Sequence, residues 1–390
     1  MISTGTWRHY GTTALTVWAL CVVGAFSAKA DEPRSVPAKA EATATKSSKE
    51  DWFARWVKGL HFAKYGKQAE EVRKVFRPAI HPASEATVEV LCDGQLKSLG
   101  LIVSADGYVV TKASQLAGTV ACRLASGESY RAELVGSHRD NDLALLHIEA
   151  DNLPVARWRR GSLPLVGSWV VAPGPDGEVL SVGIISTTSR WIRGGVLGVF
   201  LQETPRGAQI IGVNPKAGGG KAGLRRGDVI LQVNGRDVPK IDDCIHAIGS
   251  YLPGDQVKLR ILRNDETLEI EARLDSVHDS FESKRAKFQN SLGARLSERR
   301  AGFPSAFEHD LGLAPEQCGG PVVNLAGEVI GINIARSGRV TSLAIPAHVV
   351  RTVVAEMKAG KWKPQAPLAA RAEVATPFDT PQPVGHDSKQ

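Results

Sequence analysis

At 390 residues the chain exceeds what one hydrophobic core sustains, so it divides into at least two domains. Hydrophobic residues make up 43%, with 39 glycines and 21 prolines, a composition suited to turn-rich β structure. The net charge of +7 is modest, and no aromatic pattern interleaves the basic residues, which argues against nucleic acid as a partner.

In chain order, residues 1–30 carry Arg8, an apolar stretch from Ala14 to Ala28, and Ala28-Lys29-Ala30. These are the three regions of a secretory signal peptide, and the apolar stretch is short for a membrane span. The expectation is an exported protein, periplasmic or in the cell envelope, with no integral membrane segment after cleavage. Residues 31–84 read as a disordered linker followed by a helix-like stretch bearing Trp52, Trp56, Leu60, Phe62 and Tyr65. Short strands broken by Asp93-Gly94, Asp106-Gly107 and Ser126-Gly127 then predict a barrel of hairpins over 85–150. Cys92 and Cys122 sit on two of these strands. In an exported protein they are expected either as a disulfide, the preferred assignment, or as two buried thiols. A helix is predicted over 241–251, where Cys244 is a packing residue. Lys284-Arg285-Ala286-Lys287 and Arg295 through Arg300 predict a solvated basic linker helix within 276–302. A last helix is expected from Ala347 to Gly360, and an unstructured tail within 359–390.

Several segments, in order, resemble the HtrA/Deg family of trypsin-like proteases with PDZ domains. Cys318-Gly319-Gly320-Pro321-Val322-Val323-Asn324 and the strand Gly327 to Asn333 are similar to its nucleophile loop. Asp142-Leu143-Ala144-Leu145-Leu146 is similar to the strand of the acidic triad member. Ser98 to Gly100, Ala105 to Tyr108, Ser168 to Gly174, His309-Asp310 and Ser342 to Pro346 add further matches. Gly194 to Phe200, Ala222 to Ile230 and Val233-Asn234-Gly235 resemble a PDZ domain. The resemblance implies a mostly β fold: a chymotrypsin-like double β-barrel with an α+β PDZ domain inserted in the second barrel. The first barrel is then 85–150, the second 151–193 and 303–358, and the PDZ domain 194–275. It leaves a homo-oligomer open.

The same resemblance places a degenerate triad at Ser114, Asp142 and Cys318. Serine replaces the histidine base, and cysteine replaces the serine nucleophile. Removing a triad's base costs on the order of 10⁴–10⁶ in rate. Glu316-Gln317 stands where the family has Gly-Asn, so the oxyanion position formed by Glu316 and Cys318 loses its glycine. These faults imply a pseudoprotease. The alternative is an endopeptidase using Cys318 with an unrecognised base such as His309, in envelope protein quality control. A third reading has the basic segment 284–300 on an anionic surface. The PDZ domain implies binding of peptides or protein C-termini, with Leu197, Gly198, Val199, Phe200, Ile245 and Ile248 forming the pocket. No metal or nucleotide motif emerges, and no cofactor is expected.

Overall fold

The computed structural model describes residues 66–364, apart from 282 and 293. The expected signal peptide, the linker with the aromatic stretch through Tyr65, and the tail beyond 364 lie outside the described residues. Within them, no helix is long and apolar enough to cross a membrane.

Two short helices, α1 (Glu70–Val75) and α2 (Arg77–Glu85), open the described chain. Proline in the first turn of α2 suits helix initiation, where its missing N–H costs nothing. Six strands follow: β1 (Thr87–Cys92), β2 (Gln95–Ile102), β3 (Tyr108–Lys112), β4 (Val120–Arg123), β5 (Ser129–His138) and β6 (Leu143–Ile148). They form a closed antiparallel barrel in the order β1-β2-β3-β6-β5-β4. In β6 the run Leu143-Ala144-Leu145-Leu146 is buried at every position, so both faces of that strand meet apolar neighbours. Closure leaves this barrel no free sheet edge.

Cys92 and Cys122 lie on neighbouring strands of the barrel, but the disulfide is not formed; both are free and buried. Their register is diagonal, with Val90 opposite Cys122 and Cys92 opposite Val120. Burial pushes the Cys122 thiol up to about 12, so it behaves as a small apolar side chain.

The second sheet begins with β7 (Trp169–Pro173), β8 (Val179–Ile184) and β9 (Arg190–Ile192). The chain then leaves it for a separate sheet and core. This excursion comprises β10 (Gly195–Val196), β11 (Val199–Thr204), β12 (Gly207–Val213), α3 (Gly218–Lys221), β13 (Val229–Val233), β14 (Arg236–Asp237), α4 (Ile241–Gly249), β15 (Gln256–Arg263), β16 (Glu266–Arg273) and β17 (Asp275–Ser276). Its main sheet runs β11-β12-β13-β15-β16, and β10 pairs with β17 as a neck. Cys244, Ala247 and Ile248 of α4 are buried in the core of this domain with Ile210, Ile230 and Leu259.

After the neck come α5 (Val277–Phe281) and α6 (Lys284–Ser291). The single basic helix expected over 276–302 is therefore two short helices and an irregular stretch. Ser283 is one cause: its hydroxyl caps α6 by accepting the Ala286 N–H at 3.2 Å, which starts a new helix there. The second sheet resumes with β18 (Phe303–His309), β19 (Pro321–Val323), β20 (Val329–Arg336) and β21 (Ser342–Pro346), and α7 (Ala347–Lys358) ends the fold. Its order is β8-β7-β19-β20-β21-β18-β9. The curled sheet is joined across its seam by a bridge between Ile185 and His309. Ile192 of β9 pairs with Phe303 of β18, so the inserted domain enters and leaves between two hydrogen-bonded strands.

Candidate functional site

β3 ends at Lys112, and a 3₁₀ turn over Ala113–Gln115 carries Ser114 past its end. Asp142 sits just before β6 with φ +56°, an uncommon conformation for a side-chain-bearing residue. Its carbonyl accepts the Ala113 N–H at 2.8 Å, which fixes this turn against the 3₁₀ turn. The Asp142 carboxylate accepts both the Ser114 N–H and the Ser114 hydroxyl, each at 2.8 Å. The serine hydroxyl thus takes the acceptor that a triad's imidazole would use.

Two cations that the sequence reading missed close around the same carboxylate. Lys112 Nζ lies 4.0 Å from Asp142 Oδ2, and both side chains are only 1% exposed. Arg299 Nη1 lies 3.8 Å from Oδ1. Arg299 also donates to the carbonyls of Arg139, of Asp140 at 2.8 Å and of Gly302 at 3.0 Å. Burial lowers its pKa, with Asp142 acting in the opposite direction. Nothing in the sequence marks it, because it comes from a stretch whose composition reads as solvated.

Cys318 is fully buried, and its sulfur lies 3.7 Å from the Ala314 carbonyl. Burial pushes its thiol up, against the charge of Lys112 and the hydroxyl of Ser297. No hydrogen bond joins Cys318 to Ser114 or Asp142 among the described residues. Gly319 follows with φ +95°, and a Cβ there would stand 2.1 Å from the Leu99 carbonyl oxygen, so only glycine fits. At the oxyanion position, Pro315–Gln317 form a 3₁₀ turn, and the Cys318 N–H donates to the Pro315 carbonyl at 3.1 Å. A donor spent inside its own turn is not aimed at a developing oxyanion. The Glu316 carboxylate pairs with Arg295.

Among the described residues, no histidine adjoins Asp142 and Cys318. His138 is buried and meets the edge of Trp362 at 4.4 Å. His147 lies beside Tyr108, with Nε2 3.0 Å from the Asp106 carbonyl. His309, the base considered for Cys318, is fully buried in β18, and burial holds its pKa down to about 3. A group that weakly basic is poorly matched to proton abstraction near neutral pH. Its Nδ1 accepts the Leu311 N–H at 3.4 Å.

The stretch 294–302 lies over these residues as a strap. β19 pairs with β20 only as far as Ile332, which leaves the β19 side of Ile334–Arg336 open. There Ser297 donates its N–H to the Arg336 carbonyl at 3.0 Å, and its hydroxyl accepts the Arg336 N–H at 2.9 Å. Arg295 on Glu316, Ser297 beside Cys318 and Arg299 on Asp142 thus span the 3₁₀ turn before Cys318, Cys318 itself and the Asp142 carboxylate. Arg336 is itself buried and donates to the Gly312 and Arg339 carbonyls, each at 2.6 Å.

A second concave site lies in the inserted domain, an apolar groove of about 180 Å³ between β11 and α4. Leu197, Gly198, Val199, Ile245 and Ile248 line it, as the sequence reading placed them. Phe200 does not. Side chains alternate along a strand, so Val199 and Leu201 turn inward while Phe200 is 56% exposed. Leu201, Ile241, Arg193 and Phe281 also line it. Gly198 has φ +73°, and a Cβ there would meet the Ala217 Cβ at 2.2 Å. The N–H groups of Leu197 and Gly198 donate to no acceptor among the described residues. β11 is the outer strand of its sheet, so its far edge is open to strand addition.

A family profile for trypsin-like peptidase domains matches residues 98–220, and one for PDZ domains matches 195–274. The two overlap over 195–220, where the strands belong to the inserted sheet. A probable periplasmic serine endoprotease, DegP-like, from Hahella chejuensis is 25% identical over 265 residues. That match covers 46% of this chain and 56% of the relative, so the chain spans little more than half of that protein's length. A protein of the same description from Marinomonas sp. is 24% identical over 381 residues, covering 74% of this chain and 81% of its own. The solved serine endoprotease from Yersinia pestis aligns over 51% of this chain and 97% of its own, at 22% identity and a TM-score of 0.32. The trypsin-like frame, the PDZ domain set into it and relatives of this kind support an HtrA/Deg family protein.

Proposed function

We propose that this chain is an exported HtrA-like pseudoprotease that binds peptides or protein C-termini through its PDZ groove. The observation that carries the reading is Asp142, whose carboxylate accepts twice from Ser114 and is flanked by Lys112 and Arg299. A triad needs that carboxylate to orient a base which in turn accepts the nucleophile's proton, and among the described residues no imidazole adjoins it. The internally bonded Cys318 N–H and the strap 294–302 support the same conclusion from the oxyanion position and the cleft. For the groove, the support is an open edge on β11, an apolar lining, and two N–H groups at Leu197 and Gly198 free to hold a carboxylate. Export follows the relatives' description as periplasmic proteins and the N-terminal sequence pattern.

A second reading has Cys318 as the nucleophile of an active endopeptidase. Its one favouring observation is Lys112, a buried amine whose charge acts on the Cys318 thiol. The two readings part in a cleavage assay on an unfolded model protein across pH 5 to 9 under reducing conditions, wild type beside Cys318→Ala. No cleavage by either is the expected outcome. Cleavage by the wild type alone would sink the pseudoprotease reading and turn the search to Lys112.

A further inference from the structure

We infer that Phe281 is a built-in occupant of the peptide groove, which an incoming ligand has to displace. The inference rests on the peptide-binding reading and concerns regulation of that same groove. Phe281 lines the groove with Val199, Leu201 and Ile245, yet it belongs to α5, outside the 195–274 span of the PDZ profile. Its ring also meets Phe200 edge to face, with centroids 5.7 Å apart. Val199 and Leu201 face into the groove, whereas Phe200 lies on the other side of β11. A ring that touches both sides of a strand crosses that strand's edge. This is the open outer edge of β11, the one that an added strand pairs with.

The ring is delivered there by the local chain. β17 pairs with β10 directly before the loop that carries Leu197 and Gly198. α5 follows β17 without a connecting residue. Asn214 then ties the end of α5 to the same loop. Its side-chain amide donates to the Ser280 carbonyl at 3.0 Å, and its backbone N–H donates to the Gly198 carbonyl at 2.9 Å. Phe281 is therefore held one residue from an anchor, and a tethered side chain competes at high effective concentration. The hold is partial, because the ring remains 45% exposed and one aromatic contact is a small part of a binding energy. The ligand class this admits is a peptide with a free C-terminal carboxylate and an apolar last residue, which replaces the ring against Ile245 and Ile248.

The test uses the full chain as wild type, Phe281→Ala and Gly198→Trp, with fluorescein-labelled peptides ending in Val, Leu or Phe. Each peptide is used with a free and with an amidated C-terminus, and binding is followed by anisotropy. The expected result is carboxylate-dependent binding that tightens roughly 2- to 12-fold in Phe281→Ala, the range of one aromatic contact, and is lost in Gly198→Trp. Carboxylate-dependent binding that is equal or weaker in Phe281→Ala overturns the occupant and leaves the peptide-binding reading standing. No carboxylate-dependent binding to any variant overturns both. A measurement without ligand tests the placement alone: amide exchange at Val199 to Gln202 is expected to quicken in Phe281→Ala, and unchanged exchange would overturn it.

Discussion

At the scale of single residues, the candidate site is organised around Asp142. A carboxylate buried with two cations is costly to form, but it is costlier still to leave those cations alone. Asp142→Ala strands Lys112 and Arg299, and is expected to lower stability by about 3–5 kcal/mol in urea denaturation. A loss below about 1 kcal/mol would mean that water or other groups already serve those cations. His309 gives a pH-dependent counterpart. Its folded pKa of about 3 lies below the ordinary value of 6.5, so the unfolded chain binds the extra proton first. Its share of stability is intact above pH 6.5 and is lost as pH falls from there toward 3. Between pH 7 and pH 5 this amounts to roughly 2 kcal/mol. His309→Gln should flatten that part of the pH–stability curve, as read from urea midpoints at each pH.

At the scale of elements, the strap 294–302 is what covers Cys318 and Asp142. Its grip is modular: Arg295 on Glu316, Ser297 on Arg336 and Arg299 on Asp142. Arg299→Ala removes the last of these and is expected to loosen the cover over Cys318. Iodoacetamide labelling of Cys318 in the native protein, followed by mass spectrometry, should then quicken at least tenfold, while Cys122 and Cys244 stay unlabelled. Both of the latter are pushed up to about 12 by burial and contribute negligible thiolate at pH 8. Equal rates for Cys318 in the two proteins would show that the strap does not guard it.

The elements also mark what the sequence reveals and what it conceals. Turns such as Asp93-Gly94, the PDZ segments and the helix expected over 241–251 are local signals; each lies where its own residues point, though the helix stops at Gly249. Ser114 and Asp142 meet as their motifs imply, because β3 and β6 are adjacent in the barrel. Lys112 hides in plain view, since a lysine at a strand end reads as solvated until a second barrel covers it. Arg299 and Ser297 act on residues far along the chain, so neither spacing nor composition announces them. Phe200 belongs to the loop motif by sequence, but the strand alternation that begins at Val199 turns it away from the groove.

At the scale of the whole molecule, the PDZ domain is fixed to the barrels by more than its neck. Trp191 of β9 stacks on His246 of α4 at 4.4 Å with rings 10° apart. Arg139, in the turn after β5, forks onto both oxygens of Asp255, at 2.7 and 2.8 Å. Such ties predict that wild type melts in one calorimetric transition, and that Trp191→Ala with Arg139→Ala splits it into two. A single transition in the double variant would place the coupling in the neck and strap instead.

The position of the insertion also bears on how the chain reaches its native state. β9 and β18 are neighbours in the second sheet, yet the entire PDZ domain is synthesised between them. Were that stretch an open coil, bringing the two strands together would cost loop-closure entropy before any pairing repaid it. Once the inserted domain has collapsed around Ile210, Ile230 and Leu259, its neck joins Gly195 to Ser276, and the loop left to close between β9 and β18 shrinks to the stretch carrying α5, α6 and the strap. The topology therefore predicts that closure of the second sheet follows collapse of the inserted domain, with the first barrel outside this dependence. A lesion in the guest's core is then expected to slow closure of a sheet whose own residues are untouched.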